Sequence, residues 1–187
     1  MGSKHIKRRL LTYDKPWIRG NPKPPKNRTL LGAAFSNANY QGELKLQYCS
    51  ACEAVNYPPR ELCRNCLSDA LIWRDTAPEA EILSVSELHH SQWEFFKRKI
   101  EKAPWPIATI QLAEQVLFAH LAKHTFADFD PKKILAEELP LGTPVKVFTA
   151  SDSTYNSVLI AVSRQTEIDT IAKRIEIVDE LGLRVAG

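Results

Sequence analysis

All four cysteines of this chain lie between residues 49 and 66, arranged as Cys49-Ser50-Ala51-Cys52 and, ten residues on, Cys63-Arg64-Asn65-Cys66. Two C-x-x-C pairs at this separation read as a metal site by spacing alone. Each pair wraps one side of a single ion, and four thiolates satisfy a tetrahedral Zn²⁺ completely. Such a site holds a fold together and leaves no coordination position for activating water. Cys49, Cys52, Cys63 and Cys66 are therefore expected to bind a structural zinc, with the flanking residues folded as a zinc ribbon. Paired knuckles also suit a reducing, cytoplasmic setting better than a disulfide framework.

That exclusion extends to the rest of the chain. No cysteine is left over as a nucleophile, no G-x-S-x-G elbow is present, and the seven glycines include no phosphate-cradling cluster. His89 and His90 fall at a strand end. His120 and His124 are four apart, but on and just beyond a strand, where that spacing does not bring two rings to one ligand. No base with an oriented partner emerges, so the residues favour binding over catalysis.

Charge is unevenly spread. Residues 1–28 carry nine Lys or Arg against Asp14 alone, while the other residues carry sixteen basic against twenty-one acidic side chains. The basic character belongs to an arm. Pro16, Pro22, Pro24 and Pro25 exclude a long helix there, and Tyr13 and Trp17 are available to pin it to a surface. An apolar fraction of 44% is enough for a true core. No apolar run reaches the roughly 20 residues of a membrane span, and the basic start lacks the apolar stretch of a secretory signal.

After the arm, Leu30, Leu31, Ala34, Phe35 and Ala38 lie at helical spacing, ended by Asn39 and Gly42. Glu43–Tyr48 alternates like a strand and delivers the chain to Cys49. Tyr57-Pro58-Pro59-Arg60 forms a stiff turn between the knuckles, and Trp73 is expected to pack the ribbon against the segment C-terminal to it. Five strand segments come next: Ala80–His89, Pro106–Ala113, Val116–Ala122, Pro144–Ala150 and Ser157–Ser163. Glu114-Gln115 is placed as the turn between the second and third, and residues 151–156 as a polar loop. A helix over Ser91–Ala103, with Ser91 and Glu94 as a capping box, and another from Asp130 to about Leu139 interrupt the strands. The tail reads as a helix over Thr166–Leu181 capped by Thr166, with Arg174–Val178 as a strand the alternative. The expected fold is mainly β with helical additions: a rubredoxin-like zinc ribbon followed by a five-stranded OB-fold barrel. The expected organisation is a basic arm (1–28), a helix and leading strand (29–48), the ribbon (49–74), the barrel (75–165) and a C-terminal helix or tail (166–187).

The knuckles, the Tyr57-Pro58-Pro59-Arg60 turn, Trp73, and Leu141-Gly142-Thr143-Pro144-Val145-Lys146-Val147 at a late barrel strand together resemble the acyl-CoA-associated zinc-ribbon/OB-fold proteins, over roughly residues 33–163. That family usually has Gly after the second Cys of each knuckle, where Glu53 and Leu67 stand here, and its connection at Ser91–Ala103 is shorter. The resemblance implies a non-catalytic subunit that joins a thiolase-like enzyme in a hetero-oligomer and helps hold a CoA thioester. CoA offers phosphates for Arg or Lys, an adenine face and a thin pantetheine arm. Arg60 on the stiff turn, and Trp93, Lys97, Arg98 and Lys99 on the Ser91–Ala103 helix, are the candidate CoA contacts. The alternatives are a nucleic-acid-binding ribbon/OB protein, disfavoured by the acidic body and the few aromatics interleaved with cations, and a purely architectural scaffold.

Overall fold

The computed structural model describes residues 29–90, 96, 99–100, 104–126, 139–151 and 157–185. Helix α1 spans Leu30–Tyr40, and the Thr29 hydroxyl caps it by accepting the Gly32 N–H at 3.0 Å. Its buried stripe, Ala33, Ser36 and Asn39, follows a three-residue step. The chain then enters a three-stranded antiparallel sheet: β1 Lys45–Cys49 in the centre, β2 Val55–Asn56 and β3 Leu71–Asp75 at its edges.

Five further strands close into a barrel: β4 Glu79–Leu88, β5 Trp105–Leu112, β6 Gln115–Leu121, β7 Pro144–Ser151 and β8 Ser157–Ser163. Their order is β4-β5-β6-β8-β7, closed by β7 pairing back onto β4. Every pair is antiparallel except β6 with β8, which run parallel through His120 and Ile160. This is the five-stranded Greek-key barrel expected from the sequence. A register shift between Ile82 and Ser84 bends β4 so that one strand serves both neighbours.

Alternation explains which side chains fill the barrel. Ala108, Ile110 and Leu112 of β5, Leu117, Ala119 and Leu121 of β6, and Val145 and Val147 of β7 point inward and are buried together. Leu46 and Val55 of the ribbon belong to the same cluster, so ribbon and barrel share one core. The opposite faces of β7 and β8 are covered too: Phe148, Ala150, Val158, Ile160 and Val162 pack with Phe96, Ile168, Ile177, Val178 and Leu183. Burial on both faces accounts for the unbroken apolar run Val158–Val162.

The five barrel strands agree with the sequence reading to within a residue at each end, and β1 starts two residues later than the strand read at Glu43–Tyr48. Two other local readings change. The tail helix, α2, spans Ile171–Leu181 and is capped by Thr170, whose hydroxyl accepts the Lys173 N–H at 3.3 Å. Thr166 sits instead in a turn that donates its N–H to Ser163, and Ile168 lies ahead of the helix as a buried core residue. Arg174–Val178 is helical, not a strand. Trp73 stacks on Phe35 of α1, 6.4 Å between centroids, which ties the ribbon to the preceding helix. The β5–β6 turn is Ala113-Glu114, with both residues at positive φ (45° and 64°), and Gln115 is already in β6. Phe96, Lys99 and Ile100 are helical as expected. The remaining residues of the Ser91–Ala103 helix, residues 130–138 of the second expected helix, the basic arm and residues 152–156 lie outside the described residues.

Both turn residues adopt the left-handed backbone that favours Gly in a two-residue hairpin. Glu114→Gly is expected to stabilise the protein by about 0.5–1 kcal/mol, because relief of the left-handed penalty exceeds the entropy that glycine adds to the unfolded chain. Urea unfolding of the two proteins measures it, and an unchanged or lower midpoint would contradict the turn assignment.

Candidate metal centre and its surroundings

The two knuckles repeat one backbone design. The Cys49 carbonyl accepts the Glu53 N–H at 2.8 Å, and the Cys63 carbonyl accepts the Leu67 N–H at 3.0 Å. The Cys49 N–H donates to Ala54 at 3.0 Å, and the Cys63 N–H donates to Ser68 at 2.8 Å. Closing each loop this tightly puts the residue after the second cysteine at positive φ, 59° for Glu53 and 61° for Leu67. These are the two positions where glycine is absent, and a residue with a Cβ costs about 1–2 kcal/mol there.

The design brings four sulfurs together, all within 4.8 Å of one another. Cys49 Sγ lies 3.5 Å from Cys66 Sγ, and Cys52 Sγ lies 3.7 Å from Cys63 Sγ. Those separations are far too long for disulfides. They match the edges of a tetrahedron, about 3.8 Å, that metal–sulfur bonds of about 2.3 Å would draw. The set fits a tetrahedral metal held by four thiolates and by no other ligand among the described residues.

Donors surround the sulfurs. Cys63 Sγ accepts from the Asn65 backbone N–H at 3.4 Å and from Asn56 Nδ2 at 3.6 Å, and Cys52 Sγ accepts from Asn65 Nδ2 at 3.6 Å. The Cys63 thiol is drawn down to about 6, first by the backbone N–H of Cys66 and then, against the cost of burial, by Asn65 and Asn56. Cys52 is lowered as well, chiefly by the backbone N–H of Ala54. Cys66, the exposed member of the set, goes the other way: the Ser68 N–H favours its thiolate, but the crowding of Cys52, Cys63 and Cys49, with partial desolvation, outweighs that and pushes it up to about 12. The last of four clustered sulfurs holds its proton against three neighbours. A divalent cation at their centre removes that penalty.

Two residues that the sequence reading did not single out organise this region. Asn56 is buried; besides its amide on Cys63, its Oδ1 accepts the Arg64 N–H at 2.9 Å and its Nδ2 donates to Ala54 at 3.0 Å. One side chain thereby fixes both knuckles. Gln47, buried opposite it in β1, accepts the Arg60 N–H at 2.8 Å. The only hint in the sequence was amides at strand positions where apolar or solvent-facing residues are usual.

Of the candidate CoA contacts, Arg60 stands on the Pro58-Pro59 turn with its backbone pinned by Gln47, and its Nε donates to the Pro58 carbonyl at 3.4 Å. No carboxylate pairs with its guanidinium among the described residues. Lys99 lies elsewhere: its Nζ would be 2.6 Å from a Cβ placed on Gly182, so the ammonium rests against the C-terminal cap of α2. A cation at that end meets the negative pole of the helix. Trp93, Lys97 and Arg98 lie outside the described residues. His89 and His90 are exposed. His120 is held by Trp105, whose Nε1 donates to His120 Nδ1 at 2.8 Å, and is stacked 4.7 Å from Phe96.

Residues 37–71 match the family model described as the ChsH2 rubredoxin-like zinc ribbon domain. The ribbon is thus similar to that domain. Among solved structures, the chain is similar to one described as the Ltp2-ChsH2(DUF35) aldolase, at 22% identity and a TM-score of 0.57, over 75% of this chain and 98% of that one. It is also similar to a DUF35-family protein of unknown function from Sulfolobus solfataricus, at 16% identity and a TM-score of 0.44, over 72% of this chain and 85% of that one. No curated protein sequence matches the chain. The resemblance read from the sequence is met at the ribbon by the family model and across ribbon and barrel by the fold. No helix among the described residues is long and apolar enough to cross a membrane.

The metal-bound ribbon predicts a divided response to chelation. Removing the metal, or replacing Cys63 with Ser, is expected to abolish amide-exchange protection across residues 45–75 while the β5–β6 hairpin keeps most of its own. Hydrogen exchange with metal analysis reads both, and retained ribbon protection in metal-free protein would contradict the structural role.

Proposed function

We propose that this chain is a non-catalytic, acyl-CoA-associated subunit of a thiolase-like enzyme complex, with a structural Zn²⁺ in its ribbon. The observation that carries this reading is the joint match of ribbon and barrel to nearly the whole of a ChsH2(DUF35) chain described together with an Ltp2 aldolase. The chemistry of the residues supports it. All four sulfurs face one another, and His120 commits its Nδ1 to Trp105, so the groups best suited to covalent or base catalysis are engaged in holding structure. The partner enzyme supplies the nucleophile that forms or cleaves the carbon–carbon or acyl bond. A reducing cytoplasm is the setting in which four clustered thiols persist to bind zinc.

Arg60 is the residue proposed to meet the CoA thioester. It is a cation on a turn stiffened by two prolines, with its backbone N–H held by Gln47 and its Nε on the Pro58 carbonyl. A guanidinium that pairs with no carboxylate among the described residues is available to a phosphate in the bidentate geometry that Arg favours. Trp93, Lys97 and Arg98 remain candidates for the same ligand. Lys99 is a weaker one, because its ammonium already rests at the end of α2.

The nucleic-acid alternative asks for aromatics interleaved with cations on the strand face that OB-folds use for oligonucleotides. The corresponding outward residues here are Ile107, Thr109 and Gln111 of β5 and Val116, Phe118 and His120 of β6. Phe118 offers one ring, but the face carries no Lys or Arg to neutralise phosphates.

Arg60→Ala is expected to raise the Michaelis constant of the complex for its acyl-CoA several-fold, with kcat and assembly little changed, as loss of a contact made equally in ground and transition states would do. Steady-state kinetics on the purified complex tests it. An unchanged Michaelis constant favours the architectural scaffold, and acyl transfer by the isolated chain would overturn the subunit reading altogether.

A further inference from the structure

A cavity of about 240 Å³ lies where the ribbon, the barrel and the C-terminal segment meet. Neither the cysteines nor Arg60 line it. Its charged side chains are Glu43 just after α1, Asp75 at the end of β3, Asp169 ahead of α2, and Arg174 on α2. Arg174 is held in place while its charge stays unanswered. Its Nε donates to the Ile168 carbonyl at 2.6 Å, and its guanidinium carbon lies 5.9 Å from the centre of the Phe148 ring. It forms no ion pair among the described residues, although three carboxylates share its cavity. Asp169 forms none there either. Glu43 is engaged by Lys45 at 2.8 Å, and Asp75 is reached by the same ammonium only at 3.9 Å.

Thr76 adds an observation of a different kind. It is 9% exposed and lines the same cavity, and its hydroxyl has no hydrogen-bond partner among the described residues. Its backbone is already committed, the N–H donating to the Leu44 carbonyl at 2.8 Å. A buried hydroxyl left unpaired costs about 1–3 kcal/mol, and native chains keep few of them. This one borders a cavity, where an incoming polar group completes it.

The charges select the class of that group. Three carboxylates stand against Arg174 and Lys45, which leaves one negative charge in excess. A phosphate or a dicarboxylate adds to the excess. A plain amine leaves Arg174 unanswered. A ligand with one carboxylate and two ammonium groups balances the site, and the volume is below that of pockets for drug-sized molecules. We infer that this cavity binds a small basic amino acid of the lysine class. Its carboxylate meets the terminal N–H groups of Arg174 in the forked geometry that guanidinium favours, and its ammonium groups face Asp75 and Asp169. The Thr76 hydroxyl can donate to the first or accept from the second. The site is independent of the subunit reading and of the Arg60 surface.

The test is calorimetric titration of the full, metal-loaded chain with L-lysine. Saturable binding is expected with a dissociation constant on the order of 1 mM or below, as suits about ten heavy atoms held by charged contacts. L-norleucine, which lacks the second ammonium, and cadaverine, which lacks the carboxylate, should each bind about tenfold more weakly. Asp169→Asn should weaken L-lysine, and Arg174→Gln should erase the preference for L-lysine over cadaverine. Thr76→Val gives the readout that a merely structural role would not produce: the free chain melts at a higher temperature, because an unpaired hydroxyl is gone, while L-lysine binds several-fold more weakly. Absence of saturable binding means that the cavity holds water alone and overturns the proposal. So does cadaverine binding as tightly as L-lysine, or L-lysine binding unchanged by both Arg174→Gln and Thr76→Val.

Discussion

Four sulfurs crowded within 4.8 Å are the constraint on which the N-terminal half of the fold rests. A ribbon whose second strand is two residues long cannot bury enough apolar surface to stand alone. What it contributes to the core is small: Leu46 and Val55, joined to the barrel cluster. Its order comes from directional bonds instead. The sulfurs converge because two backbone loops close on themselves, and Asn56 and Asn65 turn their N–H groups toward the sulfurs. A metal held by these four sulfurs would couple its binding to folding in this region.

The barrel is organised by a different force. Its strands are set by alternation, and it closes because β4 bends at its bulge to pair on both sides. Strands β7 and β8 are covered inside by the barrel core and outside by α2 and Phe96. Lys99 and Gly182 meet at the end of that cover, and the hydrogen bonds between Ser151 and Arg184 fasten the chain beyond it. By contrast, the outward face of β5 and β6 leaves Val116 and Phe118 in solvent. The β5–β6 face is covered at its Trp105–His120 end by Phe96, while Val116 and Phe118 at its other end are exposed.

Most of this architecture was legible in the residues, because it depends on patterns that sequence carries. Cysteine spacing specified the ribbon, and period-two alternation located all five barrel strands. The misreadings share a cause. Thr166 and Thr170 are both capping residues ahead of the same apolar stripe; only the burial of Ile168 against β7 and β8, a tertiary fact, decides between them. The β5–β6 turn was misplaced by one residue because neither Ala113 nor Glu114 signals a positive φ. Asn56 escaped notice for a related reason: a buried amide is an isolated choice that follows no period.

The knuckle positions 53 and 67 show what a departure from pattern can carry. On backbone grounds alone both should be glycine, since both bear the cost of a Cβ at φ near 60°. A side chain kept at such a position has to offset that cost through its contacts. For Glu53 the offset is visible within the chain, although an exposed ion pair contributes only about 0.2–1 kcal/mol, so even there the compensation is partial. For Leu67 the described residues supply none. Two loops with matching backbone bonds therefore differ in what their side chains meet: Glu53 is tied to Arg74 of β3, and Leu67 stays exposed.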